Sequence, residues 1–192
     1  MQNWDTGNVG NNKRKIYGQM TFPRELTLGG KRVYQNPVGE IEKYYGTKII
    51  YEGLEISGES VFCDIRGRVM DITVMLEVGD ESAFDRFEIK FAKGERHFTS
   101  LSYDARRSVF KIDRSRSGVV NDIVNSREFE VLTVNGKLKI RILLDRYSVE
   151  VFFNDGEKIA SCMIYTPLEE DGISFYADGS ARVDIEKNEL LL

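Results

Sequence analysis

Short runs of alternating apolar and polar residues recur along this chain, and residues 147–153 show the pattern clearly. The odd-numbered positions of this run are all apolar, whereas Ser148 and Glu150 between them are polar. A period of two places one row of side chains in a core, as in a β-strand. Asn154-Asp155-Gly156 follows, and because these residue types tolerate positive φ they favour a tight turn. Residues 144–157 are therefore predicted to form one β-strand that runs into a turn.

Similar runs recur at the spacing of an all-β sandwich or barrel. No window of a dozen residues keeps a helical period, and the one weak helical turn falls at 119–125. The chain shows no internal repeat. The blades of a propeller would repeat about every 40 to 50 residues. We therefore predict an all-β fold, a two-sheet antiparallel β-sandwich of the jelly-roll or lectin-like kind, with no propeller in this chain. The predicted strands are 31–38, 47–56, 69–78, 84–92, 97–103, 108–113, 129–134, 137–144, 147–153, 159–165, 172–176 and 181–185.

Turn residues support this architecture. Asn135-Gly136 and Asp178-Gly179 each separate two apolar runs, so each predicts a β-hairpin. In residues 69–77 the polar Asp71 and Thr73 alternate with apolar positions. This alternation predicts a strand with one face in the core and the other in solvent.

Composition excludes several classes of function. The chain has 192 residues, 41% hydrophobic and 30% charged, as expected for one folded domain with its own core. Its net charge of −4 disfavours a nucleic-acid partner, because such a partner requires a basic surface. No apolar run approaches the roughly 20 residues of a membrane-spanning helix, so no membrane partner is expected.

Metal and thiol chemistry are not expected either. His97 is the only histidine and lies in a predicted strand, so we expect no metal site, and no motif indicates a cofactor. Cys63 and Cys162 lie far apart in alternating apolar segments. This placement favours two buried free thiols over a disulfide or a reactive pair.

The carboxylates do not indicate a catalytic pair. Two carboxyl groups that act on one bond, one as proton donor and one as nucleophile, must lie about 5 to 5.5 Å apart. On one regular strand Asp145 and Glu150 lie on opposite faces, so they are poor partners for a single bond. We expect Glu150 to accept hydrogen bonds from a neighbouring strand or loop.

Three segments together carry a family resemblance. The first contains Asn3-Trp4 and, after a polar loop, Pro23-Arg24-Glu25-Leu26 within residues 16–26. The second is 111–118, with Asp-Arg-Ser at its centre, and the third is 144–157 with Ile164-Tyr165-Thr166-Pro167 after it. In these segments the chain resembles the carboxy-terminal β-sandwich of glycoside hydrolase family 32, the fructan and sucrose hydrolases.

The resemblance implies that a five-bladed catalytic propeller precedes this region in the same polypeptide. Residues 1–22 are then expected to hold a residual propeller strand and a connecting segment, and residues 23–192 the β-sandwich accessory domain. The residues expected at the interface with the propeller are Trp4, Tyr17, Phe22 and Arg24. The alternative that the three aromatic residues are ordinary core residues stays open.

The resemblance assigns no catalytic residue to this chain. The family's Asn-Asp-Pro-like nucleophile motif has no match, because Asn154-Asp155-Gly156 carries glycine in third place and has the context of a turn. The Arg-Asp-Pro and Glu-Cys motifs of the transition-state stabiliser and the acid do not occur in the sequence. The parent is expected to hydrolyse β-fructosidic bonds with retention. This chain alone is expected to be inactive and to serve stability and assembly, including contacts in an oligomer.

Two other functions stay open. One is a fructan-binding, lectin-like module in which exposed rings stack on sugar. The other is an interaction sandwich unrelated to sugars, because fold does not imply function. The compartment depends on the parent: extracellular or periplasmic for a levanase or inulinase, cytoplasmic for a sucrose-phosphate hydrolase. The candidate sugar-binding rings are those of Tyr34, Tyr44, Tyr45 and Tyr51.

Overall fold

The computed structural model of this protein describes residues 20–79, 83–118 and 124–191. These residues form antiparallel β-strands and one short 3₁₀ helix. The described part of the chain contains no helix that could cross a membrane. The elements are β1 (Arg24–Gly29), β2 (Arg32–Pro37), the 3₁₀ helix (Gly39–Tyr44), β3 (Tyr45–Ser60), β4 (Met70–Glu77), β5 (Arg86–Lys93), β6 (Thr99–Asp104), β7 (Val109–Asp113), β8 (Ser126–Glu130), β9 (Lys137–Asp145), β10 (Ser148–Phe153), β11 (Lys158–Met163) and β12 (Gly172–Leu190).

The strands form two layers that share their longest strand. β12 pairs with β5 through residues 172–177 and with β4 through residues 183–189, while β3 pairs with β12 along both parts. The sheet continues from β4 through β9 and β10 to β11, and from β5 through β6 and β7 to β8. The two arms face each other, because the rings of Phe110 on β7 and Phe153 on β10 lie 4.5 Å apart between centroids. The predicted all-β sandwich is confirmed.

The core lies between the two layers and is built from the alternating apolar rows. Ile72 and Val74 of β4 lie opposite Ile142 and Ile140 of β9, and all four are buried. Burying a side chain of this size contributes roughly 1.5–3 kcal/mol. The period of two in the sequence therefore accounts for the inner face of each layer.

The segment 144–157 is not one strand, and that prediction was wrong. β9 ends at Asp145, the chain reverses at Arg146-Tyr147, and β10 begins at Ser148. Asp145 lies opposite Ser148, so Asp145 and Glu150 are on the same face of neighbouring strands and not on opposite faces. Arg-Tyr carries no residue that favours a turn, which hid the reversal. The predicted turn at Asn154-Asp155-Gly156 is confirmed, with φ of 46°, 57° and 86°.

The two Gly-containing dipeptides behave differently. Val134 and Lys137 exchange backbone hydrogen bonds of 2.9 and 3.1 Å around Asn135-Gly136, which confirms the tight turn, but residues 131–134 form no strand that pairs with β9. Asp178-Gly179 is not a hairpin, because β12 runs straight through it with a shift of register between Ala177 and Ala181. The dipeptide breaks the regular ladder as a bulge, and the chain does not reverse.

Other differences are local. β1 was not predicted, residues 131–134 lie outside β8, and His97 precedes β6 in a loop. Cys63 and Cys162 are free as expected, but Cys63 is exposed and Cys162 half-buried, so the prediction of two buried thiols was wrong. Most of the weak helical turn predicted at 119–125 lies outside the described residues.

Candidate functional site

A segment from Phe22 to Tyr45 lies across the outer face of the arm that contains β9 and β10. Ile41 of the 3₁₀ helix is buried there against Leu143 of β9 and Phe152 of β10. This smaller core explains why all six residues of β10 are buried although the strand alternates. One face of β10 meets the main core, and the other meets this covering segment.

Glu150 ties the covering segment to β10. Its carboxylate is 1% exposed and accepts hydrogen bonds from the Phe22 N–H at 2.6 Å and from Arg24 Nε at 3.1 Å, with Arg24 Nη2 as a further donor. Arg24 also donates to Ser161 Oγ at 3.0 Å and lies over the Phe152 ring. A buried charge is stable only when it is paired and hydrogen-bonded, and Glu150 has both kinds of partner. The prediction that Glu150 accepts hydrogen bonds from a neighbouring loop is confirmed.

A second buried carboxylate holds the end of the same segment. Asp71 is 2% exposed and accepts hydrogen bonds from Tyr45 Oη at 2.6 Å and from Arg141 Nη2 at 2.7 Å. Burial, and then the hydrogen bond to Asp71, raise the pKa of the Tyr45 hydroxyl above its usual range. The prediction that Asp71 faces solvent was therefore wrong, because Tyr45 and Arg141 cover it.

The β1–β2 hairpin continues past this anchored base. Within the described residues its two strands pair with each other and with no other strand. Leu28 and Val33 lie opposite each other and are 83% and 51% exposed, and Leu26 on the same face is 66% exposed. We call these three residues the hairpin stripe. Because these exposed apolar residues lie side by side, this face of the hairpin is a candidate surface for a partner.

The predicted interface residues divide in two. Trp4 and Tyr17 lie outside the described residues. Phe22 is half-buried in the smaller core and Arg24 is paired with Glu150, so both lie at the base of the hairpin. That these residues meet a propeller stays a prediction.

The four candidate tyrosines lie in different surroundings. Tyr44 is half exposed at the end of the 3₁₀ helix, whereas its neighbour Tyr45 reaches Asp71. Tyr34 lies on β2 opposite Thr27. The Tyr51 hydroxyl donates to Asp64 at 2.9 Å. Their part in sugar binding stays a prediction.

A cleft of about 490 Å³ opens between three loops, 61–66, 93–97 and 169–173. His97 Nδ1 lies 3.0 Å from both carboxylate oxygens of Glu170, and Arg66 makes a two-pronged contact with Asp171 at 2.6 and 3.1 Å. Sequence reasoning missed this cleft, because its residues come from three distant segments and His97 was interpreted as a strand residue. Among the described residues no group of three or more His, Cys, Asp or Glu side chains could hold a metal ion.

Comparison with known proteins matches the whole sandwich. The sequence model of a family described as "Glycosyl hydrolases family 32 C terminal" matches residues 40–189. A levanase of Bacillus subtilis is 38% identical over 176 residues, which cover 85% of this chain and 26% of the levanase. A probable sucrose-6-phosphate hydrolase of Vibrio cholerae is 26% identical over 159 residues, 82% of this chain and 26% of the relative. The chain thus spans about a quarter of the length of these relatives.

Solved structures agree on the fold. An exo-inulinase from Aspergillus awamori superposes with a TM-score of 0.79 at 19% identity, over 98% of this chain and 38% of that one. A fructan 1-exohydrolase from Cichorium intybus gives a TM-score of 0.75 at 18% identity, over 88% of this chain and 40% of that one.

Proposed function

The chain belongs to the C-terminal family of the family 32 glycosyl hydrolases, and from this we propose that it is the accessory β-sandwich of a polypeptide that hydrolyses β-fructosidic bonds. The observation that carries the proposal is coverage. The family match takes in 40–189, yet the chain accounts for only 26% of the levanase. The catalytic part is then a propeller that precedes this region, with residues 1–22 as a residual propeller strand and connecting segment and 23–192 as the accessory domain.

The hydrogen bonds and ion pairs of the buried carboxylates support a role without catalysis. A retaining glycosidase needs two carboxyl groups that both reach the substrate. Glu150 and Asp71 are the two most buried carboxylates among the described residues, and each is held by an arginine. Their hydrogen bonds fasten the covering segment to the sheet, which is a structural task.

The hairpin stripe is the surface proposed to meet the catalytic domain. It is apolar and exposed, and its base is fixed on β10 through Glu150 and on the turn after β10, where the Gln35 N–H donates to the Gly156 carbonyl at 3.1 Å. A rigid base with an apolar tip suits a contact with a second domain of the same polypeptide, because burying the exposed Leu28 and Val33 side chains there would be favourable.

Sugar release tests this function directly. The purified chain is incubated with levan, inulin and sucrose beside the Bacillus subtilis levanase as a positive control. We expect no release of fructose above buffer. Release that rises in proportion to the amount of this chain, and that persists through repeated purification, would show that the chain is itself an enzyme.

A further inference from the structure

The cleft between 61–66, 93–97 and 169–173 is built as a binding site. We propose that it binds a neutral oligosaccharide, through hydroxyl contacts to Arg66, His97, Glu170 and Asp171 and through the face of Phe62. The choice of β-fructan as the oligosaccharide rests on the proposed function. The argument for a neutral polyhydroxylated ligand does not, since it comes from the lining residues.

The walls of the cleft are held in place by backbone and side-chain packing. The Gly67 N–H donates to the Asp171 carbonyl at 2.8 Å, and the Gly94 N–H donates to the His97 carbonyl at 2.9 Å. A Cβ on Gly94 would lie 2.4 Å from the carboxyl carbon of Glu170, so only glycine lets Glu170 cross to this turn. The three loops are therefore joined to one another, and the site is formed before any ligand arrives.

The His97–Glu170 pair leaves a nitrogen for a ligand. A carboxylate only accepts hydrogen bonds, so Nδ1 of His97 carries the hydrogen that points to Glu170. No described residue pairs with Nε2, and the side chain is 36% exposed. A sugar hydroxyl both donates and accepts, so it matches Nε2 in either protonation state of the ring.

The Arg66–Asp171 pair offers a donor and an acceptor side by side. Arg66 uses Nε and Nη2 on Asp171, which leaves its other guanidinium nitrogen for a ligand hydroxyl. Neighbouring hydroxyls of a sugar ring present donors and acceptors at a similar spacing. A guanidinium fixed in this way presents its remaining donors in one geometry, which favours a ligand whose hydroxyls match that geometry.

An aromatic ring and an apolar floor complete the cleft. Phe62 is half-buried, and its ring centroid lies 5.2 Å from that of Tyr51 and 6.0 Å from that of Phe175, which fixes its orientation. Ile65 and Ile173 below it are buried. A sugar has an apolar C–H face that packs on such a ring while its hydroxyls meet the polar rim.

The charge of the lining residues favours a neutral ligand over an anionic one. Three basic side chains line the cleft against four carboxylates. One of the three, Lys93, is paired with Glu59 at 3.0 Å. A phosphorylated sugar would therefore meet a net negative lining and is disfavoured. The basic residues are Arg66, Lys93 and Arg96, and the acidic ones Glu95, Glu169, Glu170 and Asp171.

Calorimetric titration of the chain with a short levan oligosaccharide tests the proposal. We expect saturable binding, weakened at least about tenfold in Arg66→Ala and in Glu170→Gln. Arg106→Ala is the matched control, because Arg106 is exposed and its ion pair with Asp85 lies away from the cleft. Circular dichroism melting of each variant checks folding, and Glu170→Gln keeps the size of the side chain.

Every outcome decides the proposal. Binding that is lost in both cleft variants and kept in the control supports it. No saturable heat up to about 10 mM oligosaccharide overturns it, as does binding that the cleft variants leave unchanged. Tighter binding of fructose 6-phosphate than of the neutral sugar would overturn the ligand class. None of these results bears on sugar release, so failure here leaves the accessory role standing.

Discussion

Arg24 and Glu150 are 126 positions apart in the sequence, yet they form an ion pair in which the carboxylate is 1% exposed. The pair joins the start of the sandwich to a strand near its end. Because the Phe22 N–H donates to the same carboxylate, the chain enters the sandwich in one fixed direction.

Removal of the charge on Glu150 should weaken the fold. We expect Glu150→Gln to lower the free energy of unfolding by about 1–3 kcal/mol, because the half-buried Arg24 guanidinium loses its counter-charge. Urea unfolding followed by fluorescence measures the change. Glu77→Gln is the control, since the Glu77–Lys137 pair is exposed and surface pairs contribute little. Equal effects of the two substitutions would contradict the role given to Glu150.

Tyr45 should make stability depend on pH in the alkaline range. Its pKa is raised in the folded state by burial and by Asp71, so the folded protein holds this proton more tightly than the unfolded chain. The contribution is complete below about pH 10, the ordinary tyrosine pKa, and is lost progressively as the pH rises above it. We expect Tyr45→Phe to flatten the loss of stability between about pH 9.5 and 11, as measured by urea unfolding.

The neighbouring tyrosine provides the comparison for this experiment. Tyr44 is 50% exposed, and Tyr44→Phe removes the same hydroxyl from an adjacent position. The slope of stability against pH in that variant should match the parent chain. A slope in Tyr45→Phe that equals the parent slope would mean that the Asp71 network does not control this titration.

The sequence was sufficient to predict the fold class and most strands, because a strand buried on one face alternates apolar and polar residues with a period of two. It could not reveal the covering segment. On alternation alone Asp71 looks like a solvent-facing residue, and nothing near Asp71 or Glu150 in the sequence identifies their distant partners, Tyr45 and Arg24, which cover the outer face. The same holds for the cleft, since Arg66, His97 and Glu170 come together through loops whose course no local pattern encodes.

Gly179 is the position at which a single methyl group should do most harm. A Cβ there would lie 1.7 Å from the Ala83 carbonyl oxygen, an atom of the backbone that cannot rotate away. The Ser180 N–H donates to that same oxygen at 3.0 Å, so the bulge would lose its hydrogen bond as well. We expect Gly179→Ala to cost about 2–3 kcal/mol in thermal or urea unfolding.

Gly39 is the matched control for that substitution. A Cβ at Gly39 meets no atom within 4 Å, and its φ is not in the left-handed region. Gly39→Ala should leave stability unchanged or raise it by about 0.4–1 kcal/mol, because the unfolded chain loses freedom. A destabilisation of similar size at both positions would point away from steric contact at the bulge.

The hairpin stripe should matter for assembly and not for folding. We expect a Leu26→Ser/Leu28→Ser double variant to keep its free energy of unfolding within about 0.5 kcal/mol, because both side chains are exposed. Its affinity for the part of the Bacillus subtilis levanase outside the matched region should fall about tenfold or more in a surface-binding assay.

A control variant at an exposed apolar residue outside the hairpin distinguishes an effect of this site from an effect of apolar exposure in general. Ile50 on β3 is 54% exposed, and Ile50→Ser should leave the association unchanged. If the hairpin and Ile50 variants lose affinity equally, apolar exposure alone drives the contact. If the parent chain does not associate with the levanase portion, the hairpin stripe has a different partner.

Arg68 connects the stability of the sandwich to the shape of the cleft. It is 7% exposed and donates to the backbone carbonyls of Thr166, Pro167 and Arg146, so one guanidinium holds the loop that leads to Glu170. Burial lowers its pKa from the usual arginine range. Lysine cannot replace the planar set of donors, because its ammonium is a single point charge.

We therefore expect Arg68→Lys to lower the free energy of unfolding by about 2–4 kcal/mol in urea. Arg106→Lys is the control, since its side chain is 77% exposed. The affinity for levan oligosaccharide should fall in the Arg68 variant even where it is fully folded, because the wall that carries Glu170 is no longer fixed. Unchanged affinity together with lower stability would show that the cleft keeps its shape without Arg68, and that the other two loops are enough to position Glu170.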